Sequence, residues 1–270
     1  MTYTLTGRWL AGFATAAILL AAPAAQAGRS CEVKPPTARS IEQGMALALR
    51  TSRALDAEHA RSGARVVVLA RAGQDLRKYQ LRYSHFGWAY KTAEGPWRVL
   101  HKLNACGTAE GSLYRQGLGE FFLDDLWRFE AAWMVPAPAL QAPLHAVLTD
   151  PARSTALHTR AYNMLSYPWA TRYQQSNQWA METLASAAEP GVSSREQAQA
   201  WLRFKGYQPT TLQLGALTRL GARVSSAHIA FDDHPNEKRF SDRIETITVD
   251  SVFDWLERAR LAGPVQRLPT

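Results

Sequence analysis

Three residues whose side chains can take part in nucleophilic chemistry follow one another along this chain: His85, His101 and Ser176. Cleavage of an ester or amide through a serine needs a nucleophilic hydroxyl, a base that takes its proton, and a third group that orients the base. His85 stands in RYSHFGWAYKT, His101 in VLHKLN and Ser176 in YQQSNQW. These three residues are therefore the candidates for a catalytic triad.

Each of the three also has a simpler interpretation. A histidine in a strand is more often a hydrogen-bonded residue of the sheet than a catalytic base. A serine before a helix most often caps the helix by accepting from its free backbone amides. The triad therefore depends on whether the fold brings His85, His101 and Ser176 together.

The segments around the three candidates predict two strands and a helix. Residues 82–92 and 97–106 have the composition of strands, and the link AEGP predicts a hairpin between them. In a hairpin His85 and His101 come within side-chain reach of each other. Ser176 is predicted as the N-cap of the helix SNQWAMETLASAA, where the helix dipole favours negative charge.

The rest of the chain predicts an α+β fold, with a small, mostly antiparallel sheet and flanking helices. The apolar spacing predicts a helix over 40–63 that stops at Gly63. Further strands are predicted over 64–73 and 129–137, and a strand or an extended segment over 161–167. A helix or helical turns are predicted over 110–125, further helices over 138–148, 193–205 and 210–221, and a strand that leads into a last helix over 244–262.

Residues 1–27 have the pattern of a secretory signal. A basic residue precedes an apolar stretch, and the small residues AQA end at Ala27, so the mature chain is predicted to begin at Gly28 in the periplasm or outside the cell. An uncleaved membrane anchor fits less well, because glycine, threonine and proline interrupt the stretch. We expect no transmembrane segment after cleavage.

The chain has two cysteines, Cys31 and Cys106. In an oxidising compartment two cysteines favour a structural disulfide, which would tie the N-terminal arm to the core. The alternative is Cys106 as a free nucleophile, which needs an activated thiolate and leaves the presence of Cys31 without a reason.

The composition is that of a globular protein, with 46% hydrophobic and 20% charged residues and a formal net charge of +8. Basic residues are dispersed along the sequence, which argues against nucleic-acid binding. The excess of positive charge would favour binding to anionic envelope polymers or lipid head groups. Alternatively, the basic side chains only form a solvated surface. We expect no cofactor and no metal, because Asp232, Asp233 and His234 in FDDHP are more typical of a turn than of a ligand set.

The segments RAGQDL, YSHFGWAY, WRVLHKLN and YPWATRYQQSNQWAMETLA resemble the bacterial DUF2145 family over residues 31–258. More distantly, the core is similar to the circularly permuted papain-like superfamily, which includes NlpC-type peptidases and relatives of lecithin:retinol acyltransferase. That resemblance implies a papain-like core over 28–190, with a helical extension over 191–270 packed on it. It assigns the base to His85 and the orienting residue to His101, and it also suggests that Cys106 pairs with Cys31.

In permuted members of that superfamily the nucleophile is a cysteine that opens a helix, and Ser176 stands at its position, followed by Trp179 at an aromatic position. The resemblance implies an exported hydrolase or acyltransferase acting on amide or ester bonds of envelope material. Because a hydroxyl is far less acidic than a thiol, the alternative is an inactive relative that serves as a periplasmic binding or structural protein. Four aromatic residues are candidates for lining a cleft, although core packing also explains them: Tyr83, Tyr162, Tyr173 and Trp179.

Overall fold

The computed structural model describes residues 35–124 and 126–268. The predicted signal segment and Cys31 lie outside the described residues, so the cleavage site and the disulfide between Cys31 and Cys106 stay predictions.

Eight strands, nine α-helices and one 3-10 helix, Arg77–Tyr79, are found in the described residues. The strands are β1 Val66–Ala72, β2 His85–Lys91, β3 Trp97–Asn104, β4 Gly111–Gly117, β5 Arg128–Met134, β6 Thr210–Gln213, β7 Arg243–Thr246 and β8 Gln266–Leu268. The helices are α1 Ala38–Ser62, α2 Leu118–Leu123, α3 Pro138–Thr149, α4 Pro151–Thr155, α5 Ser176–Ala188, α6 Arg195–Phe204, α7 Ala216–Ser225, α8 Asn236–Phe240 and α9 Val249–Arg258.

Six strands form one antiparallel sheet in the order β4-β3-β2-β1-β5-β8, and β6 pairs with β7 in a second, two-stranded sheet. Helices cover both faces of the large sheet, so its central strand β1 is buried along its whole length. This explains the continuous apolar run at that position. The predicted class, a mostly antiparallel sheet with flanking helices, is confirmed.

Side chains on β2 alternate between the two faces of the sheet, as the geometry of a strand requires. Phe86 and Trp88 belong to the same apolar cluster as Trp179 and Ala180 of α5. Ala89 belongs to a second cluster, which contains Phe121 of α2 and Leu47 of α1. We call these the α5 face and the α2 face of the sheet.

Helix α5 lies deep in the molecule, and nearly all its residues are buried. Trp88 Nε1 donates a hydrogen bond to the carbonyl of Ala180 at 3.0 Å, which fixes the helix on β2. The backbone pairing of β2 with β3 extends only to Trp88 and Leu100. Beyond that point the backbone amide of Phe86 has a side-chain acceptor instead, since it donates to Oδ1 of Asn177 at 3.4 Å.

Helix α1 ends as predicted at Gly63, whose φ of 72° places it in the left-handed region that favours glycine. Two other predicted helices are only partly confirmed. Residues 118–123 and 216–221 are helical, but 111–117 form edge strand β4 and 210–213 form β6. Residues 161–167 form no strand. The two misassigned strands are short or lie at a sheet edge, where tertiary pairing overrides a weak local pattern.

The region after residue 190 packs on the core and contains strands as well as helices. Trp201 of α6 and Trp255 of α9 belong to the main apolar cluster, and β8 adds a strand to the large sheet beside β5. Of the helices found within 35–124 and 126–268, none has both the length and the apolar character to cross a bilayer.

Candidate functional site

His85 and His101 form a direct side-chain contact on the α2 face of the sheet. His85 Nε2 lies 2.8 Å from His101 Nδ1. Gly87 makes this possible, because a Cβ on that residue would stand 2.8 Å from the Cβ of His101 and 2.7 Å from Cγ1 of Val99. The missing side chain leaves the space into which the His101 ring extends toward His85.

A second hydrogen bond joins His101 to Gln116 on β4, and it determines which ring nitrogens of His101 and His85 carry protons. Oε1 of Gln116 is 2.8 Å from Nε2 of His101, and an amide oxygen can only accept, so Nε2 of His101 donates. In a neutral His101 the other nitrogen, Nδ1, is then an acceptor and receives the proton of His85 Nε2. Nδ1 of His85 is left with a lone pair, which is the form that a general base needs.

Burial and positive charge keep both imidazoles neutral. Burial, followed by the charge of Arg71, holds the pKa of His85 well below its usual range. The same two causes lower the pKa of His101 to about 4. The Arg71 guanidinium lies 4.7 Å from the centre of the Phe121 ring and forms an ion pair with Asp124. At neutral pH this site therefore contains a fixed cation beside two uncharged histidines.

Ser176 is the first residue of α5, and Gln175 is its N-cap, so the prediction of Ser176 as the N-cap was wrong by one position. Burial raises the pKa of Tyr162, and the neighbouring Ser176 side chain opposes part of that effect. A phenol that stays protonated at neutral pH cannot take a proton from the serine.

His85 and Ser176 lie toward opposite faces of the sheet. The His85 ring packs 6.1 Å from the ring of Phe121 on the α2 face, whereas α5 begins at Ser176 on the other side. Among the described residues no hydrogen bond joins Ser176 to His85. The structure brings His85 and His101 together but does not bring Ser176 to them, so the assignment of Ser176 as a nucleophile stays a prediction.

Three of the four aromatic residues predicted as candidates for a cleft are packed in the interior. Trp179 is fully buried and donates to the carbonyl of Ser154 at 3.3 Å, and Tyr83 and Tyr162 are buried as well. Tyr173 lies nearer the surface, with its hydroxyl 3.4 Å from Asp232. The cleft assignment is therefore corrected to core packing for Tyr83, Tyr162 and Trp179, whose large apolar rings stabilise the fold by being buried.

A buried polar network beside α5 was not predicted from the sequence. Nζ of Lys102 donates to Gln174 Oε1 at 2.9 Å, and Glu182 accepts from Nε of Arg195 at 2.8 Å and from Nε2 of Gln199 at 2.8 Å. Burial lowers the pKa of Lys102 to about 7. Glu182 is the one charged residue of the segment SNQWAMETLASAA, and it is the signal that could have revealed the network, since a buried carboxylate needs a partner.

The FDDHP segment forms a hydrogen-bonded turn. His234 Nδ1 lies 3.0 Å from Oδ1 of Asp233, and His234 Nε2 lies 2.8 Å from the carbonyl of Glu245 on β7. Oδ2 of Asp233 accepts from the amide of Tyr167 at 2.8 Å. Within residues 35–124 and 126–268 there is no group of three or more His, Cys, Asp or Glu side chains placed to hold a metal ion.

The sequence model of one family matches residues 58–256 of the chain: DUF2145, described as an uncharacterised protein conserved in bacteria. The matched span contains both histidines of the pair, Gln116 and Ser176. No curated protein and no solved structure matches the chain significantly.

Proposed function

The chain belongs to the DUF2145 family of bacteria, and we propose that it is an exported protein that binds cell-envelope material without cleaving it. One observation carries this proposal: Ser176 and His85 lie toward opposite faces of the sheet, with no hydrogen bond between them. A serine becomes a nucleophile only when a base within hydrogen-bonding reach takes its proton. The Ser176 side chain lies instead near the phenol of Tyr162, whose pKa is raised by burial, so the phenol stays protonated and cannot act as a base.

A permuted papain-like ancestry of the core is part of the proposal. It is supported by the order of the elements, in which His85 and His101 occupy neighbouring strands β2 and β3 and Ser176 begins a later helix, α5. The superfamily uses a cysteine where this chain has Ser176. Replacement of a thiol by a far less acidic hydroxyl fits a protein that has kept the scaffold and lost the nucleophile.

The proposed ligand is an anionic polymer of the envelope, bound at the surface. Arg8 is the only charged residue in the predicted signal, so the formal net charge falls from +8 to +7 on cleavage and still favours association with such polymers through the field of the whole protein. This attraction needs no catalytic geometry, and it weakens as salt screens the charges.

General-base chemistry at His85 is a second candidate, and a different observation favours it. The hydrogen bonds from Gln116 through His101 leave Nδ1 of His85 with a lone pair, and its low pKa keeps the ring unprotonated at neutral pH. In this alternative His85 acts on the α2 face, on a bound hydroxyl or water, and Ser176 takes no part.

Reaction with a fluorophosphonate reagent, which modifies activated serines, distinguishes a serine hydrolase from the binding protein and from general-base chemistry at His85. The wild-type chain and the variants Ser176→Ala and His85→Gln would be treated and analysed by intact-mass spectrometry. We expect no adduct on Ser176. An adduct on Ser176 that disappears in His85→Gln would overturn the proposal in favour of the hydrolase.

Binding is measured separately, by co-sedimentation with purified peptidoglycan sacculi that carry their anionic polymers. Wild type and Ser176→Ala should sediment equally, and raised salt should release both. Absence of sedimentation at low salt would contradict the binding function. Turnover of ester or amide substrates by wild type and Ser176→Ala, but not by His85→Gln, would instead select the second candidate.

A further inference from the structure

Four large apolar side chains on α7 and α8 are exposed to solvent. Leu217 is 85% exposed, Leu220 61%, Val224 81% and Phe240 73%. The three on α7 are spaced so that they share one side of the helix. Since Ala222 is the buried residue of α7, this helix presents its apolar side outward rather than toward the core. Isolated exposed leucines are ordinary, but a contiguous group indicates an interaction surface.

A groove with several arginines lies beside these apolar side chains. It has a volume of about 260 Å³, and its walls include Arg219, Arg223 and Arg239 together with Leu220 and Phe240. Asp232 is the one carboxylate among the lining residues. Cationic and apolar side chains therefore line the same opening.

Two of the three arginines form no ion pair with a carboxylate in the described part of the chain. Arg219 is paired with Asp242, and Asp232 is paired with Arg172 at 2.9 Å. For Arg223 and Arg239 the described residues supply no ion pair. Arg239 donates to the neutral Oδ1 of Asn236 at 2.6 Å, and its buried Nε has no hydrogen-bond partner among the described residues. Helix α8 also carries one exposed carboxylate, Glu237.

We propose that the α7–α8 surface, formed by Leu217, Leu220, Val224, Phe240, Arg223 and Arg239, docks on a bilayer that contains anionic phospholipid. Side chains of leucine, valine and phenylalanine enter the boundary between head groups and acyl chains, which is where apolar faces of interfacial helices lie. The guanidinium groups of Arg223 and Arg239 then contact the lipid phosphates, for which arginine geometry is well suited.

Charge complementarity favours lipid over a second copy of this chain. A two-fold contact between copies would bring the same patch against itself, so that Arg223 and Arg239 would face their own equivalents. Like charges brought together in this way oppose association. An anionic membrane removes the apolar side chains from water and neutralises the arginines in one step. This surface is distinct from the His85–His101 pair and stands whether or not the binding function is correct.

Vesicle flotation with the full chain tests the proposal. The probes are vesicles of phosphatidylcholine alone and of phosphatidylcholine with one quarter phosphatidylglycerol. We expect wild type to float with the anionic vesicles and to dissociate as salt is raised. Arg223→Glu should weaken binding by at least about fivefold, the effect expected for one basic residue at the surface. Phe240→Ser and Leu217→Ser should each weaken binding at high and low salt alike.

Matched variants outside the surface serve as controls. Phe204 on α6 is 83% exposed, so Phe204→Ser removes an equally accessible ring, and Arg50→Glu reverses an exposed charge on α1. Both should bind like wild type. Absence of binding to anionic vesicles, or equal binding by Phe240→Ser and Phe204→Ser, would overturn the proposal. Dimerisation in sedimentation velocity that Phe240→Ser abolishes, without vesicle binding, would assign the surface to a second copy instead.

Discussion

His85 Nε2 and His101 Nδ1 lie 2.8 Å apart, just beyond the point where the backbone pairing of their strands ends at Trp88 and Leu100. The two side chains thus continue the contact between β2 and β3 where the ladder of main-chain hydrogen bonds stops. A buried histidine pair of this kind stabilises the fold only while both rings stay neutral, because a charge here would face the Arg71 guanidinium.

The space above Gly87 is needed for the histidine pair. Gly87→Ala adds a Cβ about 2.7 Å from Val99 Cγ1 and 2.8 Å from His101 Cβ, so the strands or the ring must move. We expect the free energy of unfolding, measured with urea, to fall by about 1–3 kcal/mol. Gly191→Ala is the control, because nothing lies within 4 Å of its added Cβ and the change should stay within about 0.5 kcal/mol. Equal effects of the two changes would refute this account.

Acid should destabilise the protein through the same pair. Below pH 6.5 the unfolded chain takes up a proton at His101, whereas the folded chain does so only at about pH 4. The free energy of unfolding therefore falls as the pH drops from 6.5 to 4, by about 1.4 kcal/mol for each pH unit from this residue alone. Urea unfolding at pH 7 and pH 5 should give a smaller difference for His101→Gln than for wild type, and equal differences would argue against the low pKa.

Gln116 sets the proton position by offering His101 an acceptor without a charge. Gln116→Glu replaces that acceptor with a carboxylate at the same place, which favours the protonated ring. The pKa of His101, followed by NMR titration of its ring protons, should rise by about 1–3. Gln213→Glu, an exposed substitution on β6 in the second sheet, is the control and should leave the titration curve unchanged.

Removing Arg195 should be far more costly than removing an exposed arginine. Its partner Glu182 has a fully buried side chain, so Arg195→Ala leaves a charge in the interior and should cost about 3–5 kcal/mol in urea unfolding. Arg160 forms a 2.6 Å pair with Glu110, but the side chains are 74% and 53% exposed, and Arg160→Ala should cost less than about 1 kcal/mol. Similar losses in the two variants would show that the buried network adds little.

The disulfide between Cys31 and Cys106 is still to be tested by chemistry. Thiol titration of the purified, unreduced and denatured protein should find no free thiol. Cys106→Ser should lower the free energy of unfolding by about 2–5 kcal/mol, because the bond closes a long loop. Two titrated thiols per chain would contradict the pairing.

Strands β2 and β3 and helix α5 could be predicted because local composition and spacing determine them. The alternation around Phe86 and Trp88 also predicts that His85 points to the other face of β2. The sequence does not say which face α5 covers, because that depends on packing between segments about 90 residues apart. The triad was inferred without knowing which face of the sheet α5 covers. Edge strand β4 was predicted as the start of a helix for a related reason, because its pairing with β3 cannot be read from its own residues.

The hydrogen bond from Phe86 to Asn177 joins residues that are 91 positions apart. Strand β8, close to the end of the chain, supplies the sixth strand of the sheet. Contacts so distant in sequence form late and slow the folding of a chain, because a long loop must close first. The sheet cannot be completed while its C-terminal part is still being synthesised. For a chain predicted to be exported, this delay would keep the N-terminal segments unfolded for longer, which would suit any export route that requires an unfolded chain.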